Sequence, residues 1–404
     1  MGDIRRKKRK TKIQVMIGFE LLLYEFRYLG MEMKHVAYIR SGSIYTDSRA
    51  TKEIKALLEA GYKVTVIGWD RTGIAEENCK KVFNYDKQWL SFDFFSLNIR
   101  SERGIKNSTK FLSWLKYVYR TLKEIQPLDA VHACNLDGGY AAYMFCKRYR
   151  CKLIYDIYDY YIDSHSIPGL LIDFIEKCEI KVINYADCTI ICTEERKEQI
   201  SKSSPKKLIV LHNSPEVVMD TQSEEEVYDY SYCGSLTDRR LICEIVEKYS
   251  EHTDLKFCFA GNGKYSQNVF KIGELFDSFS FKDAIPYNEV LEIELKTKVL
   301  SAIYEPTIRN HRLCAPNKFY ESLALGKPVI VCRGTGIDEV VERNQIGIVI
   351  DYDADQFYDA LIVLCQDYGK RNDMGKRARQ LYEKQYNWNI MKHRLVETYN
   401  SLIN

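Results

Sequence analysis

Proline is scarce in this chain, with 8 residues in 404, while tyrosine numbers 30, a balance that disfavours long disordered stretches. A large excess of one charge is also missing: the net formal charge is +3, which leaves no electrostatic footprint for nucleic acid. The GxGxxG fingerprint follows the first strand of neither half, which argues against a dehydrogenase. The 13 cysteines lack a paired metal spacing, because Cys188 and Cys192 bracket an apolar strand with no second pair nearby. Cys146, Cys233, Cys258 and Cys332 lie in apolar runs and read as reduced and buried. That usage suits the cytoplasm, or the inner face of a membrane.

The N-terminus carries an unbroken basic run from Arg5 to Lys10, followed by an apolar stretch, Ile13 to Leu29. Glu20, Glu25 and Arg27 interrupt that stretch, which is too short and too charged to span a bilayer. Residues 1–33 therefore read either as a basic amphipathic arm in peripheral contact with a membrane, or as an upstream extension with the true start at Met31 or Met33.

From Lys34 onward, strands and helices alternate. Strands are expected at 36–40, 63–67, 130–133, 152–155, 188–192 and 208–211, and helices at 51–60, 111–125, 139–148 and 170–185. Residues 70–110 give no clear assignment. Pro215, Asp220 and the acidic run Glu224 to Glu226 mark a linker over 213–228. The rhythm then resumes, with strands expected at 230–233, 255–260, 299–304, 328–332 and 347–350, and a final amphipathic helix at 388–403. Strands separated by helices imply parallel sheets with right-handed crossovers. The chain divides into a first domain at 34–212, a second at 229–385 and a terminal helix at 386–404. In open α/β sheets ligands bind beyond the carboxyl ends of the strands, and two such domains leave a cleft between them.

The densest chemistry lies at residues 315–330. Lys318 and Glu321 stand three apart at the start of an expected helix, so they share a face. A helix N-terminus attracts anions. A lysine there suits a diphosphate, and a carboxylate beside it suits sugar hydroxyls. Gly326 and Pro328 end the helix before an apolar strand. A second feature follows Tyr230–Cys233, where Gly234 and Ser235 precede Arg239 and Arg240. Glycine lets backbone N–H groups approach a phosphate, and arginine grips two of its oxygens. The arginines are equally well read as a solvated helix start. With Lys318 they form a two-cation clamp for a departing nucleoside diphosphate.

Other features are more open. Ala260-Gly261-Asn262-Gly263 is a plain turn or a donor contact. Ile285-Pro286-Tyr287 is read as the end of a strand that could face a nucleobase. The Ser41-Gly42-Ser43 turn follows the first strand. Asp137 is either a helix cap or a polar candidate for catalysis. His132 is either a core histidine or a contact. The segment Tyr155 to Asp163, with Asp156, Asp159 and Tyr160, is either a surface loop or a sugar-binding loop. It lacks the glycine turn and closely set oxygens of a calcium loop, and no metal or other cofactor is expected.

These motifs resemble the retaining glycosyltransferases of the GT-B architecture, in particular the bacterial glycosyltransferase family 4 of capsule and exopolysaccharide type. The likeness runs from Asp47-Ser48-Arg49 through His132–Asp137, Tyr155–Asp159 and Asn213-Ser214-Pro215. In the second half it includes Gly234 with the arginines, Gly261-Asn262-Gly263, the block Pro316-Asn317-Lys318 to Glu321, and Gly334 to Glu339. The resemblance implies two Rossmann-like domains facing across a cleft, with the last helix crossing back to the first domain. It implies that Lys318 with Arg239 or Arg240 holds the donor diphosphate, that Glu321 binds the ribose, and that Asn317, Gly334, Thr335 and Gly336 lie near the donor. Gly42, His132, Asp156, Asp159 and Tyr160 are then candidate acceptor contacts, and Asp137 a candidate first-domain catalytic residue. Two positions depart from the family. Leu313 stands where many members carry a glutamate, and Cys134 and Asn135 occupy the turn where many carry a histidine. The expected activity is transfer of a hexose from a nucleotide-diphosphate sugar, a UDP-sugar, to a saccharide or lipid-linked acceptor. A nucleotide-sugar epimerase and a non-catalytic nucleotide-sugar-binding subunit are the alternatives.

Overall fold

The computed structural model describes residues 33–403 except 43, 45–46, 74–78, 86–89, 101–107, 166 and 217–224. The basic run at Arg5–Lys10 lies outside the described residues. No helix among them is long and apolar enough to cross a membrane.

Among the described residues the first domain is built on an eight-stranded sheet in the order β3-β4-β2-β1-β5-β6-β7-β8. Its strands are β1 (His35–Arg40), β2 (Lys63–Asp70), β3 (Cys79–Tyr85), β4 (Leu90–Asn98), β5 (Ala130–Cys134), β6 (Lys152–Ile157), β7 (Cys188–Ile191) and β8 (Leu208–Val210). All pairings are parallel except β3 with β4 at the edge. On β1, Val36 pairs with Val64 of β2 and with Ala130 of β5. The intervening helices are α1 (Ser48–Glu59), α2 (Ser108–Glu124), α3 (Asn135–Tyr149), α4 (Tyr161–Ser164) and α5 (Gly169–Tyr185). A parallel sheet covered on both faces needs strands that are apolar on both sides. Here Trp114, Phe145 and Val182 from α2, α3 and α5 cover one face. Leu57 of α1 covers the other, together with Trp388, Met391, Leu395 and Tyr399 of the terminal helix.

The second domain carries a six-stranded parallel sheet in the order β11-β10-β9-β12-β13-β14. These strands are β9 (Tyr228–Cys233), β10 (Phe257–Ala260), β11 (Phe279–Lys282), β12 (Thr297–Ala302), β13 (Val329–Cys332) and β14 (Gly347–Ile350). Its helices are α6 (Ile242–Lys248), α7 (Ser266–Leu275), α8 (Tyr287–Leu295), α9 (Arg309–Arg312), α10 (Asn317–Leu325), α11 (Ile337–Asn344), α12 (Ala354–Gln366) and α13 (Tyr368–Leu381). A π-turn at Tyr382–Tyr386 leads into α14 (Trp388–Ile403), which returns to the first domain. There the Tyr399 hydroxyl meets Nδ1 of His132 at 2.7 Å, and Tyr62 donates to Asn400 at 2.7 Å.

Helix α10 ends as its sequence dictates. Gly326 is left-handed at φ 65°, Lys327 N–H donates to Ser322 O at 2.9 Å, and Gly326 N–H to Leu323 O at 3.2 Å. This closes the last carbonyls without a side-chain penalty. Four sequence expectations change. Helix α3 starts at Asn135 rather than Gly139, which puts Asp137 inside its first turn and makes Cys134 the cap residue. Strand β9 begins within the segment read as linker. Strands β3, β4 and β11 were not anticipated. Pro286 caps α8, so Ile285–Tyr287 opens a helix instead of closing a strand.

Candidate functional site

The carboxyl ends of the two sheets face one another, and the donor-side chemistry gathers beyond β9 and at the start of α10. Lys318 Nζ donates to the carbonyl of Cys233, the last residue of β9. It lies 3.4 Å from Glu294 Oε1 of α8 and 4.8 Å over the Tyr232 ring. Burial works against its charge, but Glu294 and Glu321 outweigh burial and hold the ammonium protonated far above neutrality. Glu294 is almost wholly buried, and its Oε2 has no partner. Burial, then the neighbouring Glu321, push its carboxyl up to about 8, with Lys318 pulling the other way.

Glycine is required where two loops touch. A Cβ on Gly261, at φ 139°, would sit 1.9 Å from Gly234 O. A Cβ on Gly234 would lie 3.3 Å from Lys318 Cε. The turns after β9 and β10 therefore press together beneath the lysine. Across the β9 turn, Arg239 and Leu241 are left-handed at φ 70° and 54°, which presents Arg240 between them. Arg240 lies 4.7 Å over the Tyr304 ring and donates to the Tyr304 hydroxyl at 3.1 Å, with Tyr232 a further electrostatic neighbour. Lys318 and Arg240 are thus both neighbours of Tyr232. Arg239 is exposed and lies 4.0 Å from Glu305.

Glu321 is buried one turn beyond Lys318. Tyr287 of α8 lies within electrostatic reach of both Glu321 and Ser48 at the start of α1, so the ribose candidate stands near the junction of the two domains. Lys52 of α1 also approaches. It donates to Ser214 O, and burial lowers it to about 8 against the opposing pull of Glu321. Asn317 is the exposed first residue of α10, and Ser235 O accepts from Tyr232. Gly334 and Gly336 are left-handed at φ 79° and 78°. Gly334 N–H donates to Asp338, and the buried Thr335 hydroxyl to Cys332 O, both at 2.6 Å. Thr335 and Gly336 line a cavity of about 430 Å³ between the domains, with Leu313, His212, Tyr320 and Tyr386. His212 meets the Tyr320 hydroxyl at 3.0 Å, and burial, then Arg394, lower it to about 4, so it is neutral. Lys318 and Glu321 are not among the residues lining this cavity.

On the first domain, Asp137 accepts from Ser41 and from Gly138 N–H, with Arg71 at 3.7 Å. Gly42 is partly exposed in the neighbouring turn. Asp159 accepts from Arg196 and from Asn310 of α9, each at 3.1 Å, and so bridges the domains.

Three acceptor candidates belong instead to the interior. Asp156 is fully buried and takes two bonds from Arg49 Nη2 at 2.8 and 3.0 Å. Burial raises its carboxyl, but Arg49 and His132 more than offset this and keep it ionised. His132 is fully buried, bonded to Tyr399, with Nε2 3.5 Å from both Glu53 and Asp156. Tyr160 is 1% exposed. None of the three can reach a ligand in the cleft. His132, Cys134 and Asp156 place a nitrogen, a sulfur and an oxygen within 4.8 Å of one another. Asp156 is engaged by Arg49 and His132 Nδ1 by Tyr399, while His132 Nε2 is buried without a hydrogen-bond partner, so the set reads as a polar core with one nitrogen left over. Glu294 is the residue that sequence reasoning missed. Its signal is an acid on the apolar face of α8, beside Leu291 and Leu295.

Residues 239–381 match the family model of glycosyl transferases group 1. The match starts at Arg239 and contains Arg240, Glu294, Lys318, Glu321 and Gly334–Gly336. No curated protein matches the chain. Among solved structures, sucrose-phosphate synthase from Thermosynechococcus elongatus aligns at 14% identity and TM-score 0.68, covering 91% of this chain and 99% of that one. Anabaena HepE, in complex with UDP and glucose, aligns at 12% identity and TM-score 0.64, covering 91% and 100%. A structure of trehalose-6-phosphate from Escherichia coli bound with UDP-2-fluoro glucose aligns at 10% identity and TM-score 0.63, covering 91% and 98%. The architecture is therefore that of the GT-B glycosyltransferases: two Rossmann-like domains with parallel sheets.

Proposed function

We propose that this chain is a retaining glycosyltransferase. It moves a hexose from a nucleoside-diphosphate donor, a UDP-sugar, to a saccharide or lipid-linked saccharide acceptor in surface polysaccharide synthesis. The observation that carries the reading is the pair of half-buried cations, Lys318 and Arg240, beside Tyr232 at the end of β9, with the buried Glu321 one turn away. The group 1 match over the same residues, and the UDP and UDP-sugar ligands named for HepE and the Escherichia coli structure, support it.

In this reading the departing nucleoside diphosphate gathers negative charge, and fixed cations in a water-poor cleft stabilise that charge. Lys318 exchanges its Cys233 carbonyl for a phosphate oxygen. Glu321 accepts from ribose hydroxyls. The turns at Gly234–Ser235, Gly261 and Gly334–Gly336, with Asn317, offer backbone and side-chain donors. Gly42, Asp137 and Asp159 form the acceptor side. The leaving phosphate takes the acceptor proton on the same face, so the protein supplies orientation and charge rather than a nucleophile.

A thermal-shift panel of UDP, GDP, ADP and CMP tests the donor, with the largest shift expected for UDP. Lys318→Ala is expected to abolish both the shift and transfer. Full activity in that variant refutes the assignment. Donor turnover with no acceptor present would instead identify an epimerase.

A further inference from the structure

Exposed large apolar side chains on the first domain concentrate on one helical layer. Leu170 is 98% exposed, Phe174 66%, Leu112 57%, and Leu171 and Met144 48% each. Ile172 and Tyr149 are exposed as well. All seven lie on α2, α3 and α5, which cover the same face of the first sheet. Between α2 and α3 runs an apolar groove of about 400 Å³, lined by Leu115, Tyr119, Tyr140 and Met144. An exposed apolar set of this extent on one face marks an interaction site rather than scatter.

The shape of the patch narrows the partner. Leu170, Leu171, Ile172 and Phe174 crowd the first turns of α5, where consecutive positions point to different sides of a helix. A protein groove would be met by a stripe at helical spacing. Apolar side chains on several sides of one tip, interrupted by the exposed Asp173, suit a medium that surrounds it better than a groove that takes a single stripe. Charge points the same way. The three helices carry eight cations, Lys110, Lys116, Arg120, Lys123, Lys147, Arg148, Lys177 and Lys181, against five acids, of which Asp137 and Glu179 are buried. Glu176 is paired with Lys202 at 2.8 Å. The exposed surface is thus basic around an apolar tip, the pattern that binds an anionic lipid interface.

We propose that the α2–α3–α5 face of the first domain docks on an anionic bilayer, with the start of α5 inserted among the lipid headgroups. Helix α5 starts at the carboxyl end of the sheet, and α4, which precedes it, packs against α9 of the second domain. Insertion there holds the mouth of the cleft at the membrane surface, where a lipid-linked substrate would present its head. The inference rests on exposure and charge rather than on the transfer reading. Vesicle binding can fail while UDP binding holds, and the reverse.

The test is co-flotation of the full chain with vesicles of equal parts phosphatidylglycerol and phosphatidylcholine, beside vesicles of phosphatidylcholine alone. Binding is expected to the anionic vesicles, to weaken with salt, and to fall at least about tenfold in Leu170→Asp/Phe174→Asp. Because both side chains are exposed, the variant should keep the parent melting temperature and UDP shift. A full-length chain with Arg5, Arg6, Lys7, Lys8, Arg9 and Lys10 changed to glutamine separates this face from the basic N-terminal run. It is expected to keep at least about a third of the parent binding. Unchanged flotation of the double variant overturns the inference, as does complete loss in the glutamine variant. So does a dimer in sedimentation that the double variant breaks, with no vesicle binding by the parent.

Discussion

Glu294→Gln separates the charge of this buried carboxylate from its shape. Glutamine keeps the volume and one acceptor oxygen but cannot ionise. In the parent, burial and Glu321 push Glu294 up to about 8. Below that pH the carboxyl is neutral and Lys318 is free to serve a phosphate. Above it the carboxylate competes for the ammonium 3.4 Å away. It also repels the ligand. A phosphate about 3 Å from Nζ sits about 6 Å from the carboxylate, and one pair of unit charges at that separation costs about 3 kcal/mol at an effective dielectric near 20. UDP affinity in the parent is therefore expected to fall as pH rises through 8, by up to about a hundredfold, while Glu294→Gln keeps only the shallower dependence that Lys52, lowered to about 8, brings to both proteins. Titration calorimetry with UDP across that range reads the difference directly. The same group leaves a mark on stability. Its folded value lies above the unfolded one, so the native state binds the extra proton between about 4.5 and 8 and loses stability as pH rises across that window. The slope is at most about 1.4 kcal/mol per pH unit, and the variant should lack it. Parallel pH profiles for parent and variant, or weaker UDP binding by the variant at pH 9, would refute the reasoning.

Gly261→Ala places a methyl 1.9 Å from the Gly234 carbonyl at a positive φ, and should lower stability by about 3 kcal/mol or more, read by urea denaturation. Arg49→Ala leaves Asp156 buried without its cation and should cost about 3–5 kcal/mol, less in acid, because loss of the arginine removes what holds the buried carboxyl ionised; denaturation at neutral and acid pH checks both the size and the sign. Asn310→Ala should raise KM for the sugar donor about tenfold while leaving UDP affinity within about twofold, measured by initial rates and calorimetry.

The parts of the fold legible in the sequence were those fixed by local rules. Pro316 and Gly326 bracket α10, and apolar runs such as Val329–Cys332 mark strands covered on both faces. The edge was harder. Strand β3 carries Lys80 and Lys81, and β11 has only four residues, Phe279 to Lys282, so neither offers a long apolar run. For the site, the pairing of Lys318 with Glu321 is a matter of helical spacing and was visible. Two of the three misplaced residues share one cause. His132 and Asp156 sit on central strands, where a polar side chain must find partners inside, and those partners are Tyr399 and Arg49, 267 and 107 positions away. Polar residues at a strand end look like site residues until such distant partners are known. Glu294 was hidden for the same reason, since its meaning comes from Lys318 on another helix.

Position 313 changes what the donor pocket can recognise. The family resemblance places a glutamate there, and a carboxylate at that point would accept from sugar hydroxyls. Leu313 cannot, and its main chain is engaged elsewhere: Arg196 of the first domain donates to its carbonyl at 3.0 Å. The same arginine reaches Tyr158 O at 2.6 Å and Asp159 at 3.1 Å, so it fastens the end of β6 to the second domain. The position has become part of a latch between domains. Recognition of the transferred sugar then falls to polar atoms beside the latch. Asn310 is the candidate, because its amide nitrogen is held by Asp159 while its Oδ1 is buried with no partner. A buried acceptor left unpaired costs about 1–3 kcal/mol, and a ligand hydroxyl that satisfies it recovers that cost. Since the recovery needs the sugar and not the nucleotide, Asn310 should discriminate between sugars while contributing little to UDP binding.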